Sequence, residues 1–558
     1  MRWLVSLLWF GCVACQVVPA DKQVEPATEP PVKITVIGTS DFHGALESKK
    51  GKRVGGRKVG GIDIIAAYFE SIRAANKDGF ILLDAGDLYQ GTLISAASEG
   101  RAVIEFYNEI GYDAVAVGNH EFDFGPVGYH STPANPDDDP LGVIKLRIAE
   151  ANFPFLAANI NDRTTKKPVS WKNLYGHTIL TRKGIKIGVI GLISQDTSLI
   201  TNPKNVASLQ FEPLVKTIKQ ELVKVRQAGA TVVIVLAHAG VRTDQKTGKL
   251  SGPIAELAQA LKPGEVDLIV AGHEHVACNG KVNKIPIIQT WAKGVSFSRA
   301  ELPISKKTGR VISDQVVLHS SEFFVRTDKK GGPAKYAGRT INPSTHFVKK
   351  LKKFKQSVDH LDRIELGRAA KTMQHQTVLD SPVGNLVTDA MRATDSSIDI
   401  SMYNSGGLRT SIQKGVVTYG RIYEVVPFDN NIITVSLTGA QIREIVEHGL
   451  SGPYGVMEIS GLSVVFNSKA PTGKRCMKIT TLDGQELDEK KLYTVATNDF
   501  VLSGGDGYHV FAQGSNIRNT HTLIREVVAR YIKEKGTIAP GKTGRYKPVN
   551  DSGASKKK

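Results

Sequence analysis

Residues 118–123 read GNHEFD, so Asn119, His120, Glu121 and Asp123 follow directly on the apolar run DAVAV. Other apolar runs end in the same way. Asp41 and His43 lie in TSDFHG (39–44), and Asp84 and Asp87 in LLDAGDLYQG (82–91). His238 closes IVLAH (234–238), and His273 and His275 close IVAGHEH (269–275). Imidazole and carboxylate donors together suit Zn, Mn, Fe or Ni, and the lack of thiolates argues against a structural cysteine zinc site. There are donors enough for two ions sharing one carboxylate. Two divalent ions about 3.5–4 Å apart can hold a hydroxide and neutralise a phosphoryl group during in-line displacement. Each piece alone is bland, since an Asp-x-His pair, a Gly-Asn-His turn or a strand-ending histidine is ordinarily a rim residue. The ordered set is what carries the chemistry.

Such residues need a scaffold that brings distant run ends together. The runs are KITVIG (33–38), FILLDAG (80–86), DAVAVGN (113–119), IKIGVIGL (185–192), TVVIVLAH (231–238) and DLIVAGH (267–273). Continuous Val/Ile/Leu runs of this length suit strands covered on both faces. The stretches 61–76 and 211–229 have helical periodicity, so strands and helices alternate in a layered α/β domain. Loops at the carboxyl ends of buried strands are where such sheets place their sites. Residues 128–142 are rich in Pro, Asp and Gly and read as a surface loop. A charged amphipathic helix is expected over 342–365, with Pro343 in its first turn. Beyond it, VVTYGRIYEVVPF (416–428), NIITVSLTG (431–439), LSVVFN (462–467) and LYTVATNDF (492–500) read as strands. GNLVTDAMRAT (384–394) and GAQIREIVEHGL (439–450) read as helices.

At 558 residues the chain is too long for one core, so two large domains are expected. The net charge of +18 fits either a general solubilising surface or an anionic partner. A nucleic-acid binder is disfavoured, because no aromatic-basic interleaving suited to stacking bases is present. The N-terminus MRWLVSLLWFGCVACQ, with Arg2 before a short apolar stretch, reads as an export signal over 1–20. Cleavage would follow VPA, or Cys15 would become a lipidated N-terminal cysteine serving as a membrane tether. A Pro- and Glu-rich flexible tether fills 21–31, and 549–558 reads as a frayed, disordered tail. The protein is thus expected to be exported, periplasmic or at the cell surface. Cys278 and Cys476 are too few for a disulfide framework and read as free or structural thiols.

The wording of these motifs resembles the calcineurin-like metallophosphoesterases. SDFHG, DAGDLYQGT, GNHEFDFG and AGHEH look specifically like the 5′-nucleotidase family, which includes bacterial periplasmic UDP-sugar hydrolases and animal ecto-5′-nucleotidases. GNLVTDAM (384–391), NSGGLR (404–409), VVPFDN (425–430) and TNDFVLSGGDGY (497–508) extend the resemblance to the second half. It implies a four-layer α/β/β/α metallophosphoesterase domain over 32–325, a linker helix at 342–365 and an α+β substrate-binding domain over 366–548. It further implies two divalent metal ions, Zn, Mn or similar. Asp41, His43 and His275 would hold the first, Asp87 would bridge, and Asn119, His238 and His273 would hold the second. His120, oriented by Asp123, would serve the leaving group as an acid. Asp84 is read as capping its strand and Glu121 as a helix-start or supporting residue. In the second domain Phe428 and Phe500 would stack a nucleobase, Asp506 would accept from the ribose, and Asn404 and Arg409 would contact substrate.

One departure bears on substrate. Family members commonly carry arginines just before the GN of GNLVTDAM, whereas HQTVLDSPVGN (375–385) has none; Lys371, His375 or Arg409 could compensate. The expected activity is release of inorganic phosphate from nucleotides by metal-activated water. The alternatives are a 2′,3′-cyclic nucleotide phosphodiesterase/3′-nucleotidase, a UDP-sugar hydrolase, a thiosulfohydrolase-like relative, or a non-catalytic nucleotide-binding lipoprotein. A hinge near the linker helix would let the second domain present substrate.

Overall fold

The computed structural model describes residues 29–549 except Tyr129, Thr377, Val378 and Lys542. The expected export signal with Cys15, most of the tether and all but the first residue of the tail lie outside the described residues.

In the first half, β1 (Val32–Thr39), β2 (Phe80–Asp84) and β3 (Ala114–Ala116) run parallel, side by side. Ile81 and Leu83 of β2 face an inner apolar layer, while Phe80 and Leu82 pack with Ile65 and Phe69 of α1 (Ile62–Ala75). This is the period-two alternation of a strand covered on both sides. A second parallel set, β4 (Ile185–Ile193), β5 (Val232–His238) and β6 (Leu268–Ala271), closes the inner layer from the other side. Val232, Ile234 and Leu236 face inward, and Val233, Val235 and Ala237 pack beneath α2 (Leu214–Gln227). The result is the expected α/β/β/α stack, two sheets face to face with helices outside. The carboxyl ends of β1, β2, β3, β5 and β6 meet at one rim.

A helix, α3 (Thr345–Asp362), follows. It is shorter than the sequence suggests, because the Ser344 side chain accepts a hydrogen bond from the Phe347 amide and starts it there. Pro343 therefore precedes the first turn instead of sitting in it. Phe347 packs against Phe106, and Lys350 pairs with Glu109 and Glu105, so α3 lies on the first domain. Tyr419 and Tyr423 of the second half join the same apolar cluster.

The second half is built on a mixed sheet containing β7 (Ile400–Asn404), β8 (Asn431–Thr438) and β9 (Leu492–Asn498). Helices α4 (Pro382–Arg392), α5 (Gly439–Ser451) and α6 (Ile524–Lys535) flank it. The stretch 416–428 corrects the strand expectation. Only Gly415–Thr418 is extended, and Tyr419–Val425 is helical. The Thr418 side chain accepts from the Arg421 amide and nucleates the turn, while Ile422, Tyr423 and Val425 form its buried face. Local β-propensity yields here to capping and tertiary packing. Cys278 and Cys476 are both free thiols.

Candidate active site

The rim is made of strained loops. Asp41, His43, Asp87, His273 and His275 all adopt left-handed backbone conformations, with φ between 51° and 79°. A left-handed conformation costs an L-residue roughly 1–2 kcal/mol, and such strain concentrates where geometry serves function. Here it turns each side chain back over the end of its strand. Gly86, with φ 92°, makes the tight turn before Asp87; a Cβ there would lie 2.8 Å from the Gly118 nitrogen.

Two groups of donors result, Asp41–His43–Asp87–His275 and Asp87–His238–His273, the ligand atoms within each lying inside 4.8 Å of one another. Asp87 belongs to both. Its Oδ2 is 3.9 Å from His43 Nε2 and 3.2 Å from His238 Nε2. Asn119 joins the second group through Oδ1, 3.1 Å from His238 Nε2. All seven expected metal residues are therefore brought together. Carbonyls fix the imidazoles: His43 Nδ1 donates to Gln90 O at 2.8 Å, and His238 Nδ1 to Ala85 O at 2.7 Å. His43 then presents Nε2 to His275 Nε2 at 2.9 Å, lone pair to lone pair unless a cation or proton intervenes. His238 Nε2 faces three acceptors (Asn119 Oδ1, Asp87 Oδ2 and His273 Nδ1) within 3.2 Å. One N–H cannot serve all three; a cation at their centre can. The donor set thus fits divalent metal.

The electrostatics agree. Burial disfavours the imidazolium of His238, yet Asp87 outweighs it and pushes the group up to about 10, a position that attracts positive charge. Burial and neighbouring cationic groups hold His43 and His275 well below the ordinary histidine range, and burial with His238 takes His273 down to about 3. Neutral imidazole is the metal-binding form. Burial works against the charge of Asp87 as well, but His238 and His120 keep it well below the usual carboxylate range.

His120 stands outside both groups. Its Nδ1 is 2.5 Å from Asp123 Oδ2, and Asp123 Oδ1 accepts from Thr201 Oγ1 at 3.1 Å. Burial opposes protonation of His120, but Asp123 and Asp87 win and raise it above the usual value. Asp84 caps its strand, accepting from Thr39 Oγ1, Tyr107 OH and the Gly86 amide. Glu121 does more than start a helix. Fully buried, it accepts from the amides of Asp87 (2.9 Å), Leu88 (2.7 Å) and Gly118 (2.6 Å), clamping two ligand loops together.

The second domain closes over this rim. The Phe428 ring stacks near His120 at 5.6 Å, and Arg409 Nη2 lies 3.5 Å from His43 Nε2. Asn404 donates to Asp506 Oδ2 at 2.8 Å and accepts from Asn498 Nδ2 at 2.9 Å. Burial raises Asp506 to about 6, and its φ of 52° is again left-handed. Phe500 lies over Gly505, where any Cβ would meet the ring at 2.4 Å. Gln90, Thr201 and Lys293 were not singled out from sequence. Gln90 stands within a quoted motif, but its contribution to His43 is a backbone carbonyl, which leaves no sequence signal.

Two family models match the chain: calcineurin-like phosphoesterase over 34–277, and 5′-nucleotidase, C-terminal domain, over 360–513. These define a metallophosphoesterase core joined to a nucleotidase domain. A snake venom 5′-nucleotidase of Gloydius brevicauda is 25% identical over 97% of this chain and 91% of its own length. Endonuclease YhcR of Bacillus subtilis is 27% identical over 94% of this chain, which spans 42% of that longer protein. The crystal structure of a 5′-nucleotidase precursor from Thermus thermophilus superposes with a TM-score of 0.79 at 25% identity, covering 93% of this chain and 100% of that one. The chain belongs to the 5′-nucleotidase family of calcineurin-like metallophosphoesterases, and is a metal-dependent phosphoester hydrolase.

Proposed function

We propose that this chain is an exported phosphohydrolase that binds two divalent ions and releases inorganic phosphate from nucleoside monophosphates. The observation carrying the proposal is the meeting of two half-sites. Donor groups sharing Asp87 come from one domain, and Phe428 and Arg409 of the other reach them at His120 and His43. Bound divalent ions would supply Lewis acidity and water acidic enough to attack phosphorus at neutral pH. Asp41, His43 and His275 would hold one ion, Asn119, His238 and His273 the other, and Asp87 both. Arg409 would take phosphate oxygens, Phe428 and Phe500 would flank the base, and Asp506, steadied by Asn404, would accept from the ribose. His120, its Nδ1 turned to Asp123, would direct Nε2 at the leaving oxygen and deliver a proton there.

The hinge for substrate entry would lie near α3, which packs on the first domain through Phe347 and also meets Tyr419 and Tyr423 of the second. Locking the two domains in one orientation by a cross-link away from the site should then abolish turnover, and full activity after locking would rule the hinge out. Export rests on the apolar, arginine-headed segment 1–20. The test of function is a panel of AMP, ADP, ATP, UDP-glucose, 2′,3′-cyclic AMP and an aryl phosphate, each with Mn²⁺ and Zn²⁺. AMP should give the highest kcat/KM. Cleavage of the cyclic diester or UDP-glucose without cleavage of AMP would overturn the reading.

A further inference from the structure

We infer that Lys293 of the first domain and Arg409 of the second form a subsite for the phosphate dianion, with the unpartnered ring of His375 beside them. The inference rests on the phosphomonoester reading above.

Lys293 lies in the turn after strand Ile285–Gln289, with φ 65°, and its amide donates to Asp41 O at 2.7 Å. The loop is thereby fixed against a predicted metal ligand. Its side chain crosses to the other domain, where Nζ donates to the backbone carbonyl of Arg409 at 2.8 Å. An ammonium has three donors, and this bond uses one. The charged groups facing Lys293 are Lys49, Arg409 and Glu424, and Glu424 is already paired with Arg421 at 2.8 Å. On the second domain, His375 turns a buried Nδ1 that has no hydrogen-bond partner among the described residues, and the cations facing it are again Arg409 and Lys293. Unused hydrogen-bonding groups therefore gather beside Arg409, whose guanidinium reaches the rim at His43, in a setting where a bound anion would offset the crowding of basic side chains. A phosphate monoester differs from a diester in one additional charge and one additional terminal oxygen. A lysine ammonium beside an arginine fork is suited to reading that difference.

The test uses the full chain loaded with Mn²⁺, as wild type, Lys293→Gln and Lys293→Arg. Steady-state kinetics on AMP are compared with those on bis(4-nitrophenyl) phosphate, a monoanionic diester, and binding of inorganic phosphate is measured by calorimetry. Losing one charge-assisted contact should weaken phosphate binding about tenfold in Lys293→Gln, and lower the AMP-to-diester ratio of kcat/KM about tenfold. Lys293→Arg should recover most of both. An unchanged ratio and unchanged phosphate affinity in Lys293→Gln would overturn the subsite, as would equal losses on both substrates, the mark of a domain-docking role. Should Lys293→Gln not fold, His375→Ala must show the same direction of change, and its absence overturns the inference. If wild type cleaves only the diester, the monoester reading fails, while the phosphate calorimetry still tests Lys293 separately.

Discussion

Replacing Glu121 by glutamine changes one oxygen to an amide nitrogen at constant shape, in a site with no slack. Oε2 accepts from the Asp87 and Gly118 amides, and Oε1 from the Leu88 amide. The carboxamide oxygen can keep the first two bonds, but its NH₂ then faces the Leu88 N–H, donor against donor. One backbone-amide hydrogen bond is lost and two donors are left buried and unpaired, a cost of about 2–4 kcal/mol. The loss falls where Asp87 and Asn119 are set, since Leu88 and Gly118 are their chain neighbours. Metal affinity should therefore fall about 10–100-fold, the usual effect of removing a residue that orients ligands. Calorimetric titration of metal-stripped Glu121→Gln with Mn²⁺, alongside its melting curve, measures both effects. Gly118→Ala should act alike by sterics alone, because its Cβ would lie 2.3 Å from Asp87 Oδ1 and 2.8 Å from Glu121 Oε2. A Glu121→Gln protein with wild-type metal affinity and an unchanged Tm would refute the clamp.

Three further outcomes follow from other contacts. Thr201→Val removes the hydroxyl that holds Asp123; kcat should fall a few-fold with KM unchanged, and the pH–rate profile should shift as His120 loosens. Phe428→Ala should raise KM for AMP by about tenfold, as expected for loss of a stacking face, but should leave KM for a small aryl phosphate nearly unchanged. Glu458 is buried, accepts from the Ser381 amide and hydroxyl, and is pushed by burial up to about 7. A carboxyl raised above its unfolded value binds its proton more tightly when folded. Its stabilising contribution is thus complete below about pH 4 and declines as pH rises toward 7, by an order of ~3 kcal/mol. Melting curves of wild type and Glu458→Gln should therefore coincide near pH 4 and separate by pH 8, with the variant the more stable.

The rim was legible in the sequence because each chemical residue ends an apolar run, and parallel strands place their carboxyl ends together whatever their order. The half-site some 300 residues downstream was legible only through resemblance: Phe428 or Asp506 taken alone carries no periodic signal. Glu121 was visible as a residue but not as a clamp, because accepting backbone amides leaves no pattern in side-chain spacing. Thr201 and Lys293 were missed for a related reason; their partners lie 78 and 116 residues away, in contacts that only the folded chain creates. At 416–428, β-branched and aromatic residues suggested extension, but a threonine cap and a buried face produced a helix.

The central claim is that two ions, joined through Asp87, drive hydrolysis of a nucleotide phosphate. Phosphate release from AMP by metal-stripped protein, followed against equivalents of Mn²⁺ added per chain, tests it most directly. Activity should be absent at zero, rise to a plateau at two equivalents, and be lost in Asp87→Asn at any loading. Full activity in stripped protein, saturation at one equivalent, or normal turnover in Asp87→Asn would contradict it.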